Sequence, residues 1–310
     1  MTQEPDRTSG RFDLAVWGTV VGSFRTVFVD HRGHLPRALC VPFLLSLLLS
    51  FLWFHTTDFG QSHPEGLASF AGMFLWPIAD AVPFVIFAVS WHRLILFGPG
   101  KGTPHLWPVF GARHVSYFGY FFLYYVGYVI VAALFFFAFA GLLAALPSPS
   151  MVRGVPPAYR VEFYALVTLL LDVAGLYVVA RIGFVLPAIA ADRAYPLADT
   201  WADTKAFQWR LFGSLVLATL PYALFNKLYY IVSNGLEPLA MPGAASATTW
   251  QQLAAVLMAN EVVVALIAFL TTAIGATLIT QVFTKQLASQ APPGTPPSKP
   301  QPAETKRKPV

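Results

Sequence analysis

Residues 115–146 read VSYFGYFFLYYVGYVIVAALFFFAFAGLLAAL, and none of them is charged. A helix needs roughly 20 mostly apolar residues to cross the hydrocarbon core of a bilayer. Inside lipid every backbone polar group must be satisfied within the chain, which a helix does by itself. The stretch therefore reads as a membrane-spanning helix, and the rest of the chain is read outward from it. Five further segments have the same character: about Pro36 to Phe54, Leu67 to Phe97, Val161 to Ala190, Leu211 to Ser233 and Gln251 to Val282. The expected fold is all-α, an integral membrane protein with six transmembrane helices. Several segments exceed the minimum length, which implies tilt, a kink or extension beyond the bilayer. Pro77 and Pro83 each remove a backbone donor, so a kink or local break is expected in the second helix.

Composition points the same way. The chain has 310 residues, 56% hydrophobic and 11% charged, with a mean hydropathy of +0.59. A soluble domain carries about 25% charged residues, and half that charge cannot cover a water-facing surface. The single cysteine, Cys40, excludes an intramolecular disulfide. The first strongly apolar run begins near Leu39, too late for the core of a removable signal peptide. The first helix is expected to insert and stay.

Lys and Arg set the orientation. Arg7, Arg11, Arg25, Arg32 and Arg37 precede the first span. Arg93, Lys101 and Arg113 lie between the second and third. Arg181, Arg193, Lys205 and Arg210 lie between the fourth and fifth, and Lys285, Lys299, Lys306, Arg307 and Lys308 follow the sixth. That side holds seventeen of the 20; only Arg153, Arg160 and Lys227 fall on the other. The split puts both termini in the cytosol and favours an even number of spans. The net charge of +5 is thus topological, and no nucleic-acid partner is expected. Trp53 and Trp250 fall at outer helix ends, and Trp91, Trp107, Trp201 and Trp209 near the inner boundary, as two aromatic belts would.

Residues 1–11 read as a disordered polar tail. Residues 12–33 read as an amphipathic helix on the cytosolic face, with Phe12, Val16, Val20, Phe24, Val27 and Phe28 at spacings of three and four. The alternative is a helix packed on the inner end of the bundle. Residues 34–288 form the six-helix domain, and 289–310, with seven prolines, form a disordered basic tail. A weak internal repeat joins Trp91-His92-Arg93-Leu94 to Ala180-Arg181-Ile182-Gly183, each an Arg inside an apolar run followed by a Trp-bearing stretch. It suggests three units, each a short cytosolic helix followed by a helical hairpin.

Three acids fall inside spans: Asp80, Asp172 and Glu261. A carboxylate at mid-bilayer costs about 2.5–3.5 kcal/mol on insertion scales, so it faces the bundle interior, pairs, or takes up a proton. The three form a candidate polar site for ion, proton or solute, or else structural pairs. Asp172 and Arg181 are nine residues apart, about 13 Å at 1.5 Å per residue, so Asp172 needs a partner on another helix. Arg93, Arg181 and Arg210 are candidate contacts for lipid headgroups, with plain snorkelling as the alternative. Tyr117, Tyr120, Tyr124 and Tyr128 share one helix face, either as cavity wall or as packing. His31 and His34 form a His-x-x-His without an evident third ligand, so no metal site is assigned. No cofactor is expected. No catalytic motif is recognised, and the chain reads as leaning away from an enzyme.

Residues 180–219, ARIGFVLPAIAADRAYPLADTWADTKAFQWRLFGSLVLAT, carry one resemblance. Arg181 precedes Leu186-Pro187, a polar amphipathic stretch follows with Trp201 and Thr204, and Trp209-Arg210-Leu211-Phe212 opens the next span. This resembles poorly characterised bacterial inner-membrane proteins similar to the membrane domain attached to some glycerophosphoryl diester phosphodiesterases. Ala206 stands where that pattern has a small Gly. The resemblance implies a multi-helix fold in the bacterial inner membrane. It implies no phosphodiesterase activity, because that chemistry belongs to a separate soluble domain. The expected function is a non-enzymatic membrane protein in envelope or lipid homeostasis, or a membrane component of an assembly. Its partners would be membrane lipids, other membrane proteins or itself. The alternatives are a small-solute or proton-coupled transporter using the intramembrane carboxylates, and a membrane-embedded lipid enzyme.

Overall fold

A computed structural model describes residues 14–56, 67–99, 111–145, 157–240 and 247–290. Among these every regular element is a helix. In chain order they are α1 (Val16–Arg25), a π-helical turn (Thr26–Asp30), α2 (Leu35–Thr56), α3 (Leu67–Phe97), α4 (Ala112–Ala145), α5 (Pro157–Ile182), α6 (Val185–Ala190), α7 (Leu197–Thr204), α8 (Gln208–Ala240) and α9 (Ala247–Gln290). Among the described residues four helices are long and apolar enough to cross a membrane, through Leu35–Leu52, Ile78–Phe97, Ala112–Val131 and Glu261–Gln290. The other two sequence segments fall on α5 and α8, of 26 and 33 residues. Part of their side chains lies outside the described set. So do residues 1–11 and 291–310, the stretch around Trp107, and the side chains of Trp53, Tyr128 and Trp250.

α3 and α9 form the centre. α3 packs on α2, α4, α6 and α9, and α9 also touches α1, α2 and α8. Lipid tails are as apolar as the side chains, so shape fit between helices must supply the association. Two devices do so here. Ala188, Ala190, Ala218, Ala273 and Ala276 are buried and let backbones approach. Large rings fill what remains: Phe84 stacks on Phe269 at 4.3 Å, and Phe87 lies between Phe269 and Trp91. Buried hydroxyls bond within their own helices, as Ser23 does to the Thr19 carbonyl and Thr277 to that of Ala273.

Local chemistry explains the helix ends. α3 stays continuous through Pro77 and Pro83, so the break expected there is not observed. It ends at Gly98, whose φ of 71° suits glycine and whose amide bonds back to the Leu94 carbonyl at 2.9 Å. The interruption falls instead inside the fourth sequence segment, between α5 and α6. Pro187 has no N–H for the carbonyl four residues back, that of Gly183. Leu186 donates to it instead, at 3.1 Å, and the helix restarts at Val185. Gly183 has no room for more than hydrogen: a Cβ there would lie 2.4 Å from the Val179 carbonyl oxygen.

The amphipathic segment divides its faces. Val20, Ser23 and Val27 are buried against the bundle, where α1 packs on α8 and α9. Trp17, Val21, Phe28 and Val29 are exposed. The reading of a helix packed on the bundle end therefore describes one face, and the outward face stays apolar. Of the three expected hairpins, α2–α3 and α8–α9 pack as pairs. Among the described residues α4 and α5 touch only slightly: α4 lies on α3 and α6, and α5 on α8.

Candidate functional site

Because α4 leans on α3 and α6, a space remains between it, α5, α8 and α9. It is a cavity of about 580 Å³, within the range of small-molecule sites. Its wall is largely apolar, from Phe84, Val85 and Ala88 on α3 to Leu176 and Ile279 opposite. Four tyrosines of α4 contribute: Tyr117, Tyr120, Tyr124 and Tyr125, with Tyr222 from α8. The tyrosine face read from the sequence thus includes cavity wall, with Tyr125 added.

Asp80 is in the wall. It has no hydrogen-bond or ion-pair partner among the described residues. Asp172 and Asp80 both lie within electrostatic reach of Tyr222, and Glu261 lies within reach of Asp80. Helix spacing agrees. Asp172 is one turn before the wall residue Leu176, and Glu261 is two turns before the wall residue Ala268. Of the three acids Asp80 lines the cavity, while Asp172 and Glu261 are exposed on the neighbouring helices, one and two turns before wall residues.

The opposite end is polar for another reason. His92 is 1% exposed. Its Nδ1 is 2.6 Å from the Thr280 Oγ1, and its Nε2 is 3.1 Å from the Tyr117 hydroxyl. The Thr280 hydroxyl donates its one proton to the Ala276 carbonyl at 2.6 Å. It can therefore only accept from His92, which fixes the proton of the neutral ring on Nδ1. Nε2 is then the acceptor, and Tyr117 donates to it. Sequence reasoning assigned no role to His92. The available signal was an ionisable ring inside an otherwise apolar span.

The arginines divide differently. Arg93 donates to the Ala190 carbonyl at 2.8 Å and to Asp192 at 3.2 Å, and Arg113 reaches the same carboxylate at 3.4 Å. Arg93 does pair with an acid, but with one in the loop after α6. Asp192 takes a φ of 57° to present itself. Arg181 is 2% exposed. Its guanidinium lies 4.0 Å from the centre of the Trp201 ring, with one hydrogen bond to Thr204 at 3.3 Å and Nε unpartnered. It ends α5, where the helix dipole favours a cation. Its contacts are internal. Arg210 is exposed in the first turn of α8.

Outside the spans, Tyr195 donates to Asp203, which also accepts from Gln290 at 3.2 Å and so ties α7 to the end of α9. Burial, then Asp203, pushes the Tyr195 hydroxyl well above its usual range. His31 sits edge-on to Trp91, 6.3 Å between centres, and 6.2 Å from His34. Burial, then the neighbouring His34, holds its pKa below the ordinary 6.5, with Asp30 opposing. No group of three metal-ligating side chains occurs among the described residues.

The chain matches no protein-family model, no curated protein and no solved structure.

Proposed function

We propose that this chain is a six-span integral protein of the bacterial inner membrane, with both termini in the cytosol, that carries a small solute in its cavity without altering it chemically. The observation behind the reading is the cavity of about 580 Å³ with, in its wall, a carboxylate that has no hydrogen-bond or ion-pair partner among the described residues. A carboxylate within a membrane span is costly, and one facing a ligand-sized space earns its place by binding. The split of the basic residues supports the orientation. The resemblance of residues 180–219 supports the compartment. Gly275 provides the test. It lines the cavity, and a Cβ there meets nothing within 4 Å. Gly275→Leu should fill the space without disturbing the fold. In proteoliposomes, solute flux should be present in the wild type and absent in Gly275→Leu; equal flux in the two would sink the reading.

An envelope or lipid role is the second reading. It draws on the exposed Trp17 and Trp209, at 70% and 65%, which lie near the exposed Arg25 and Arg210 in sequence. Such pairs suit a headgroup layer. Replacing the exposed Arg25 and Arg210 should then reduce co-purifying anionic lipid, and unchanged lipid would remove the support.

A further inference from the structure

We propose that the cavity takes an organic cation with an apolar body, its charged end against Asp80. This rests on the carrier reading above and names the class of solute.

Counting protons along the wall leads to it. The Thr219 hydroxyl donates to the Leu215 carbonyl at 2.9 Å, and that of Thr272 to the Ala268 carbonyl at 2.9 Å. The Tyr117 proton goes to His92 Nε2, because Nδ1–H is committed to Thr280. A hydroxyl has one proton and two lone pairs. Each of these three groups has therefore spent its proton elsewhere and offers the cavity only lone pairs. Asp80 offers a carboxylate with no hydrogen-bonded or ionic partner among the described residues. Among the described residues no Lys or Arg lines the cavity. Whichever way the other tyrosine hydroxyls turn, none is a cation.

The Thr271 hydroxyl and those of the remaining tyrosines can donate or accept, so the bias of the wall comes from the Asp80 carboxylate and from three hydroxyls that only accept. An anion would meet lone pairs and a carboxylate, with no positive group to offset its desolvation. A cation finds the reverse. Aromatic rings in the wall, Tyr120 and Tyr125 among them, are of the kind that attracts a diffuse positive charge, and Phe84, Val85 and Ile279 suit an apolar body. A bare metal ion fits poorly, because it needs several converging oxygen ligands. The cavity has length as well. Asp80 and His92 are twelve residues apart on α3, about 18 Å at 1.5 Å per residue. The charged head and the lone-pair end therefore bracket a body of several rings or a branched chain.

The test uses the purified full chain in detergent at pH 7.5 and three probes of similar shape. Tetraphenylphosphonium is the cation, tetraphenylborate the anion and triphenylphosphine oxide the neutral compound. Binding is read by calorimetry as the difference between the wild type and Gly275→Leu, which removes partition into the micelle. Thermal unfolding confirms that each variant is folded. Tetraphenylphosphonium should bind saturably to the wild type and lose about tenfold or more in affinity in Asp80→Asn, as expected when the cation loses a counter-charge in a low-dielectric wall. Tetraphenylborate should show no such site. If the borate binds as tightly as the phosphonium, or if Asp80→Asn leaves the phosphonium unchanged, the cation assignment is overturned while the cavity reading stands. If none of the three probes binds saturably, the carrier reading falls and takes this proposal with it.

Discussion

Arg181 carries a buried charge with no ion-pair partner among the described residues, and that can be tested quantitatively. Its residue is 2% exposed, and its guanidinium lies 4.0 Å from the centre of the Trp201 ring. Cation–π pairs contribute about 0.5–1 kcal/mol at exposed sites and about 2 kcal/mol when desolvated. Here the cation is buried and the ring is 51% exposed, so Trp201→Leu should cost about 1–2 kcal/mol. For a large soluble domain each kcal/mol moves Tm by about 2–4 °C, so the expected fall is about 2–8 °C. Arg181→Met separates charge from volume. It keeps the buried stem and removes a guanidinium whose Nε has no partner. Replacing a buried charge by an apolar side chain of similar size is often neutral or stabilising, so Tm should stay level or rise. Arg181→Ala loses the stem as well and should cost about 2–4 kcal/mol. The assay is thermal unfolding of purified protein in one detergent, followed by intrinsic fluorescence. A neutral Trp201→Leu together with an Arg181→Met that loses more than 8 °C would refute the argument, because Arg181 would then depend on a charged partner elsewhere.

Thr280→Val leaves the His92 Nδ1–H without its acceptor and should destabilise by about 1–3 kcal/mol, measured as the same fall in Tm; an unchanged Tm would contradict the assigned tautomer. Gly183→Ala forces a Cβ against the Val179 carbonyl and should cost about 1–3 kcal/mol, whereas Gly275→Ala, with open space, should be close to neutral. Folded His31 binds a proton less readily than the unfolded chain does, since its pKa lies below 6.5. Protonation therefore favours unfolding. Its contribution is intact above that value and is lost as pH falls from 6.5 through the lowered folded pKa. His31→Gln should flatten the decline in Tm between pH 7 and 5.5, and an identical slope would rule His31 out as its source.

The helices were legible because apolar runs and Gly-Pro punctuation are local signals. The stretch around residue 120 and the stop at Gly98 both follow from neighbours in sequence. The α5–α6 break was harder. Pro187 was visible, but Pro77 and Pro83 looked equally disruptive, and α3 runs through both. Whether a proline ends a helix depends on what can take up the carbonyl it strands, and Gly183 could turn where α3 did not. The acids were found by their cost in lipid, yet which of them lines the cavity depends on how α3, α4, α5, α8 and α9 meet. The same holds for His92, whose partners lie 25 and 188 residues away. Arg93 was expected near acids or headgroups. Asp192 was passed over because a loop acid raises no alarm in a sequence.

The seat of α1 on α8 and α9 has a consequence for synthesis. Gln281 Nε2 donates to Thr26 Oγ1 at 2.9 Å, across 255 residues of chain. At about 5–20 residues per second, a ribosome that has made Thr26 needs roughly 13–50 s to reach Gln281. Throughout that interval the inward Val20, Ser23 and Val27 lack the packing that α9 completes. The nascent amino-terminal segment must wait at the membrane surface or on a chaperone, and it docks as one of the last events of assembly.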